Sequence, residues 1–322
     1  MGRLVDWLSE PRAPHHAITW WRRARRYRDL PRRRPDETSL TLALSFDVER
    51  DPGQPVDPHR CQTCFPFLNW LEAVSLARDW RTTLFVQGSI VEQLAAPLRR
   101  LVPRHELGLH GYFHELWGRQ LWFAPYEPSP APGLRRALLE EGLRAFERAG
   151  LPRPRAFRAP NLVCDQTTLA LLEQAGFRLD SSAAAYRGEA PIVSRHGALV
   201  RVPVSGAPRP ILHRWRGTPL PSWAIHRVVN LENFLAPPDE LMPLVEEVLA
   251  VQTLAGSPHH LVVLAHPWEF ADLPITGCGS ANYDRLIERV ELLSSYFPTT
   301  VSGISDIVSR SALGHVDRPA AS

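Results

Sequence analysis

The stretch "LTLALSFDVERD", residues 40–51, reads in two halves. Its first half is an apolar run of strand length, the composition of a strand buried on both faces. Its second half turns acidic. If the strand persists to Glu49, then Asp47 and Glu49 point to the same side, because strand side chains alternate with a period of two. A buried strand that ends in carboxylates fits a parallel α/β architecture, in which the chemistry collects at the C-terminal strand ends.

The rest of the chain repeats the theme. Strands are expected in "RTTLFVQG" (81–88), "HELGLHG" (105–111), "RAFRAP" (155–160), "RLDSS" (178–182), "ALVRVPVS" (198–205), "LVVLA" (261–265) and "PTTVSGISDIV" (298–308, a last strand and turn). Apolar residues at helical spacing fall between them, in residues 65–80, 89–102 with Ser89 as N-cap, 131–150 stopped by Gly150, 165–177 opened by Asp165, 237–256 and 282–297. Such alternation means a mostly parallel sheet covered by helices, with right-handed crossovers. About eight candidate strands without a linker fit a closed or nearly closed barrel better than two open sheets. Two stretches rich in Pro, Trp and Arg break the rhythm, residues 115–133 and 206–236, and read as long functional loops. The division is a basic Trp- and Arg-rich extension over residues 1–39, a barrel domain over 40–312 and a tail over 313–322.

Composition excludes some functions. At 44% hydrophobic and 22% charged residues, the chain can build a core and does not read as disordered. A net charge of +3 is too small to suggest a nucleic-acid partner. The basic excess sits in "WWRRARRYRDLPRRRP", residues 20–35. No apolar run there has the length of a signal peptide core, and no window of about 18 apolar residues forms a membrane span. The expectation is a cytoplasmic protein, with the Trp- and Arg-rich segment either solvated or in peripheral contact with the inner membrane face. "CQTC", Cys61–Cys64, is a single CxxC, too little for a zinc ribbon; it reads as a redox pair or as two unpaired thiols.

Polar groups recur where strands end: Asp47 and Glu49, His110 and His114, Arg158, Asp180, then His266 and Glu269. A spacing of four puts His110 and His114 on one face if that segment starts a helical turn. Two imidazoles need an anionic third ligand from another strand, and either Asp47 or Glu49 can supply it. Two His and one carboxylate leave coordination positions open, as catalytic metal sites do. The second carboxylate then stays free as a base. His105 is expected to face solvent, and Glu115 to point away from the ligand face. His266, between an apolar strand and a proline, is placed as a general acid.

In this order, "SFDVE", "TTLFVQG", "HELGLHGYFH", "FRAP", "GFRLDSS" and "LAHPWEF" resemble the polysaccharide deacetylases, the NodB-homology superfamily or carbohydrate esterase family four. The resemblance runs from Leu40 to Val308. It implies a distorted (β/α) barrel with predominantly parallel strands. It implies a divalent metal (zinc, with Co2+, Mn2+, Ni2+ or Fe2+ as alternatives) and hydrolysis of an N-acyl group on an amino sugar. Residue by residue, it implies Asp47 as base, Arg158 as its holder, His266 as acid and Asp180 as support for the acid. Glu49, His110 and His114 become metal ligands; Tyr112, Pro160, Leu264 and Trp268 contact substrate, with Leu264 in the acyl pocket. The commonest family motif has two adjacent aspartates. Here Val48 follows Asp47, so the sequence is closer to members with an Asp-x-Glu motif. Three functional readings follow: an N-deacetylase of a cell-envelope polysaccharide or its lipid-linked precursor, a deformylase or deacetylase of an undecaprenyl-linked amino sugar, and a catalytically silent carbohydrate-binding relative.

Overall fold

Strand β1, Leu40–Val48, is buried along its whole length. It is flanked on both edges: β10 (His260–Ala265) lies along one, β2 (Thr83–Val86) along the other, all in parallel. The computed structural model describes residues 39–53, 56–118, 129–183, 191–214 and 221–311, leaving aside the side chains of residues 207–227. The basic segment, most of the loop over 115–133 and the tail fall outside the described residues.

From β2 the sheet continues in parallel through β3 (Glu106–Leu109), β4 (Ala156–Phe157), β5 (Leu179–Asp180) and β7 (Leu199–Arg201). A short antiparallel strand, β6 (Ser194–His196), forms the edge, and β11 (Thr299–Val301) pairs with the start of β1. Among the described residues the ladder does not close. Single hydrogen bonds span the gap instead: Ser205 N–H to the Val262 carbonyl at 3.1 Å and Leu264 N–H to that of Val229 at 2.9 Å. The expected barrel is therefore present as a curved, nearly closed sheet.

Alternation along β1 sorts the core. Leu40, Leu42, Leu44, Phe46 and Val48 face the covering helices and join the larger cluster. Ala43 faces inward and joins Phe85, Ala156, Leu179, Val200 and Val262. The helices on the outside include α1 (Cys64–Arg78), α2 (Ala95–Leu101), α3 (Pro132–Arg148) and α4 (Gln166–Gln174). The interior is narrow: a Cβ on Gly108 would lie 2.5 Å from a ring carbon of Phe85, so only glycine lets that ring cross the barrel.

Some expectations are corrected. Ser89 does not cap a helix: it sits in a 3-10 turn, Gly88–Ile90, and its hydroxyl bonds the Pro58 carbonyl at 3.0 Å, while the helix proper starts at Ala95. The stretch 206–236 is not an irregular loop. Two strands, β8 (Gly206–Arg214) and β9 (Pro221–Val228), pair antiparallel, and Asn230 caps the turn of helix that follows. The last segment is a helix, Ile304–Arg310, rather than a turn.

His105 does not face solvent. It is 6% exposed, and its Nδ1 accepts the Thr82 N–H at 3.2 Å. Burial, then the neighbouring Arg104, pushes its pKa down to about 4. The unfolded chain takes up a proton near pH 6.5, whereas the fold refuses it until about 4. Stability is thus lost as pH falls across that window, by on the order of 3 kcal/mol. His105→Asn keeps an acceptor and cannot titrate. In urea unfolding at pH 7 and pH 4.5 it should lose less stability than wild type; an identical loss would refute the assignment.

Candidate metal centre

Beyond β1 the chain keeps its phase, and Asp47 and Glu49 both turn inward at the mouth of the barrel. Asp47 is 3% exposed and Glu49 9%. Neither carboxylate lies in solvent beside the neighbouring Arg50. Arg50 donates instead to the Phe113 carbonyl at 2.8 Å, tying the end of β1 to the histidine loop.

That loop is not helical, contrary to the expectation from the spacing of four. Gly111 and His114 both adopt left-handed backbone, with φ of 66° and 67°. Glu115 folds back rather than pointing outward: its carboxylate accepts the N–H groups of Tyr112 at 2.9 Å and Phe113 at 2.6 Å. The tight turn brings the two imidazoles to 5.5 Å between ring centres. His110 Nδ1 meets the Arg158 carbonyl at 3.0 Å, and a carbonyl only accepts, so the proton belongs on Nδ1. Nε2 is then left for a ligand. Glu49 Oε2 stands 3.2 Å from His110 Nε2 and 2.9 Å from His114 Nε2. One ligand atom from each of the three residues lies within 4.8 Å of the others. Two imidazole nitrogens and a carboxylate, with one ring already oriented from behind, fit a divalent cation. Burial pushes the Glu49 carboxyl up. The charges of His114 and His266 outweigh it and hold the group ionised, well below the usual range.

Asp47 stays out of this cluster because Arg158 holds it. The guanidinium is fully buried and donates to Asp47 Oδ1 at 2.8 Å. Its other N–H groups meet Ser45 Oγ at 2.8 Å and Ser181 Oγ at 2.9 Å, and its cationic carbon lies 4.2 Å over the Phe85 ring. Both serines pass their own protons to backbone carbonyls, Val263 and Val202. Asp47 Oδ2 remains directed at the site, 3.8 Å from His110 Nε2.

His266 follows β10 and opens a 3-10 turn, Pro267–Phe270. Its Nδ1 lies 3.0 Å from Glu269 Oε2, and its Nε2 faces the site, 3.9 Å from Glu49 Oε1. Burial alone would lower this imidazolium's pKa; Glu49, Glu269 and Asp47 together raise it to about 9. Asp180 does not support His266. It accepts from Arg201 Nε at 3.0 Å and from Ser182 N–H at 3.1 Å. The reason is phase: Leu179 and Ser181 point inward, so Asp180 points outward beside Arg201, its register partner on β7. Glu269 takes the place expected of Asp180, three residues after His266 in a turn whose geometry has no strand-end signal.

The expected substrate contacts divide. Tyr112 turns away from the site, toward Arg148, Glu141 and Glu92 on the outside. Trp268 stacks on His266 at 4.8 Å and donates to Glu49 Oε1 at 3.1 Å. Leu264 is partly buried against the inner cluster, and Pro160 is buried in the turn Pro160–Leu162. Cys61 and Cys64 are free thiols. Both are buried, Cys64 donates to the Glu49 carbonyl at 3.3 Å, and burial first, then nearby acids, raises Cys61 to about 11, which suits structural thiols rather than a redox pair.

Residues 42–179 match the family model described as polysaccharide deacetylase. Among solved structures, a Mycobacterium smegmatis protein assigned as a polysaccharide deacetylase aligns at 21% identity and TM-score 0.57, over 88% of this chain and 95% of that one. A family 4 carbohydrate esterase from Streptomyces lividans, solved with acetate, aligns at 16% identity and TM-score 0.42, over 82% and 92%. A carbohydrate esterase family 4 pseudoenzyme from Bacillus anthracis aligns at 13% identity and TM-score 0.46, over 83% and 65%. At such identities the likeness concerns the fold alone. No curated protein matches the chain at a significant level.

Arg158→Met leaves Asp47 buried with its partner removed, and should cost about 3–5 kcal/mol in denaturant unfolding. Adding Asp47→Ala removes the stranded charge and should recover much of that loss. A double variant no more stable than the single one would show that the cost is lost packing, not an unpaired carboxylate.

Proposed function

We propose, from the match of residues 42–179 to the family model described as polysaccharide deacetylase, that this chain is a metal-dependent amidohydrolase removing an N-acyl group, acetyl above all, from an amino sugar. The substrate class is a polysaccharide or its lipid-linked precursor. The observation that carries the reading is the convergence of three devices at one mouth: the Glu49, His110 and His114 group, a carboxylate held by Arg158, and an imidazole held by Glu269.

A divalent cation held by Glu49, His110 and His114, zinc by the chemistry of the donors, supplies the charge that polarises an amide carbonyl and acidifies water. Asp47 accepts the proton of the attacking water at Oδ2 while Arg158 fixes Oδ1, so the base keeps its aim. His266 delivers its Nε2 proton to the departing amine, and Glu269 on Nδ1 keeps the ring turned to the site. Leu264, at the end of β10 against the inner cluster, provides an apolar wall for a small acyl group.

The intact base, acid and ligand set argue against a silent carbohydrate-binding role. The Trp- and Arg-rich residues 20–35 support an encounter with a lipid-linked amino sugar at an anionic membrane face, from the cytoplasmic side. Among the described residues no helix is long and apolar enough to cross a membrane.

The test is acetate and formate release from free, polymeric and lipid-linked N-acyl amino sugars, with and without chelator. Chelator-sensitive release from one class is expected. Stoichiometric metal without release from any of them would instead support the binder. His110→Ala should lose the metal; a fully metallated variant removes His110 from the ligand set. His266→Ala should keep the metal and lose turnover by roughly 10²–10⁴-fold. Loss of metal in that variant would sink its role as a non-ligand acid.

A further inference from the structure

Glutamate at position 49 poses a problem that aspartate would not. Its side chain has one more rotatable bond, and both of its oxygens can swing across the site. In the structure they do different things. Oε2 faces His110 and His114 at 3.2 and 2.9 Å. Oε1 accepts the indole N–H of Trp268 at 3.1 Å.

The indole is itself held in place. It stacks on the His266 ring, 4.8 Å between centres with the planes 22° apart. It belongs to the turn Pro267–Phe270, whose Pro267 and Phe270 are buried. Phe270 packs among Phe67 at 5.2 Å, Trp70 at 5.8 Å and Tyr283 at 5.0 Å. Asn282 Nδ2 binds the Glu269 carbonyl at 2.8 Å, fixing the turn from behind. Indole nitrogen has one donor and no acceptor, so it takes up one carboxylate oxygen and leaves the other free.

We propose that Trp268 is a positioning residue of the metal centre: its indole N–H pins Glu49 Oε1, so that Oε2 alone is offered beside His110 and His114. This rests on reading Glu49, His110 and His114 as metal ligands. It moves Trp268 from substrate contact to support of the site, and it accounts for how a glutamate serves where the family's commonest motif has an aspartate. The same turn holds His266 through Glu269, so Pro267–Phe270 sets both the metal ligand and the acid.

The test is a double-mutant cycle read by Zn2+ affinity, from competition with a chromophoric chelator on the full chain. The four proteins are wild type, Trp268→Phe, Glu49→Asp and the double variant. Trp268→Phe should weaken Zn2+ binding roughly 10- to 100-fold, the usual effect of losing a partner behind a ligand. Trp268→Met, which also lacks the N–H, should do the same. A shortened carboxylate no longer reaches the indole, so in the Glu49→Asp background the tryptophan change should alter affinity by less than about twofold. Wild-type affinity in Trp268→Phe, or an equal loss in both backgrounds, would overturn the proposal. Wild-type protein that binds no Zn2+ would overturn the metal-centre reading itself, and that arm alone separates the two failures.

Discussion

Residues 41, 43, 45, 47 and 49 share one side of β1 and its extension because a strand alternates its side chains with a period of two. Everything at the mouth of the barrel follows from that constraint. The inward side carries Ala43 and Ser45 before it reaches Asp47, and these small side chains leave room for a guanidinium. Arg158 fills the space, with Asp47 as counter-ion, two serine hydroxyls and the Ser181 carbonyl on its other N–H groups and the face of Phe85 beneath it. A buried cation is tolerated only when its charge and its donors are both met, and here they are. Had β1 slipped by one residue, the leucines would line the interior and both carboxylates would be lost among the helices.

Charge at the mouth is arranged in layers. Arg158 pairs with Asp47 in the buried interior. Glu49 lies next, among three imidazoles, and remains ionised because its neighbours outweigh its burial. Glu269 sits outermost and holds His266 in a state that carries a proton at neutral pH. The separation also divides labour between two carboxylates two residues apart. One is saturated on one oxygen by arginine, the other is turned by an indole toward the histidines.

Much of this was legible in the sequence. Order and type of most strands and helices came from periodicity, and the inward pair Asp47 and Glu49 from simple alternation. Where reading failed, the failures were geometric. Two histidines four apart suggested a helical turn, yet they converge through left-handed residues and a carboxylate folded onto the loop backbone. Asp180 stands at a strand end like the others, but strand ends have two sides and this one faces out. Glu269 was visible beside His266, with nothing in local pattern to say that a 3-10 turn would bring its carboxylate back to the ring. His105 looked like a solvated residue before a strand; the packing of the strand's lower end buries it.

The sequence by itself determined the parallel architecture, the interior phase of β1 and the residue types needed for a metal, a base and an acid. Those are properties of period and composition, and periods of two and of 3.6 are written locally in the chain. Only the tertiary structure decided the partnerships. Arg158 meets Asp47 across 111 residues of sequence, and Trp268 meets Glu49 across 219. Such contacts depend on which strand lies beside which and on how a turn outside any regular element is packed. No local preference encodes that, because the free energy that selects it comes from burying the whole sheet at once.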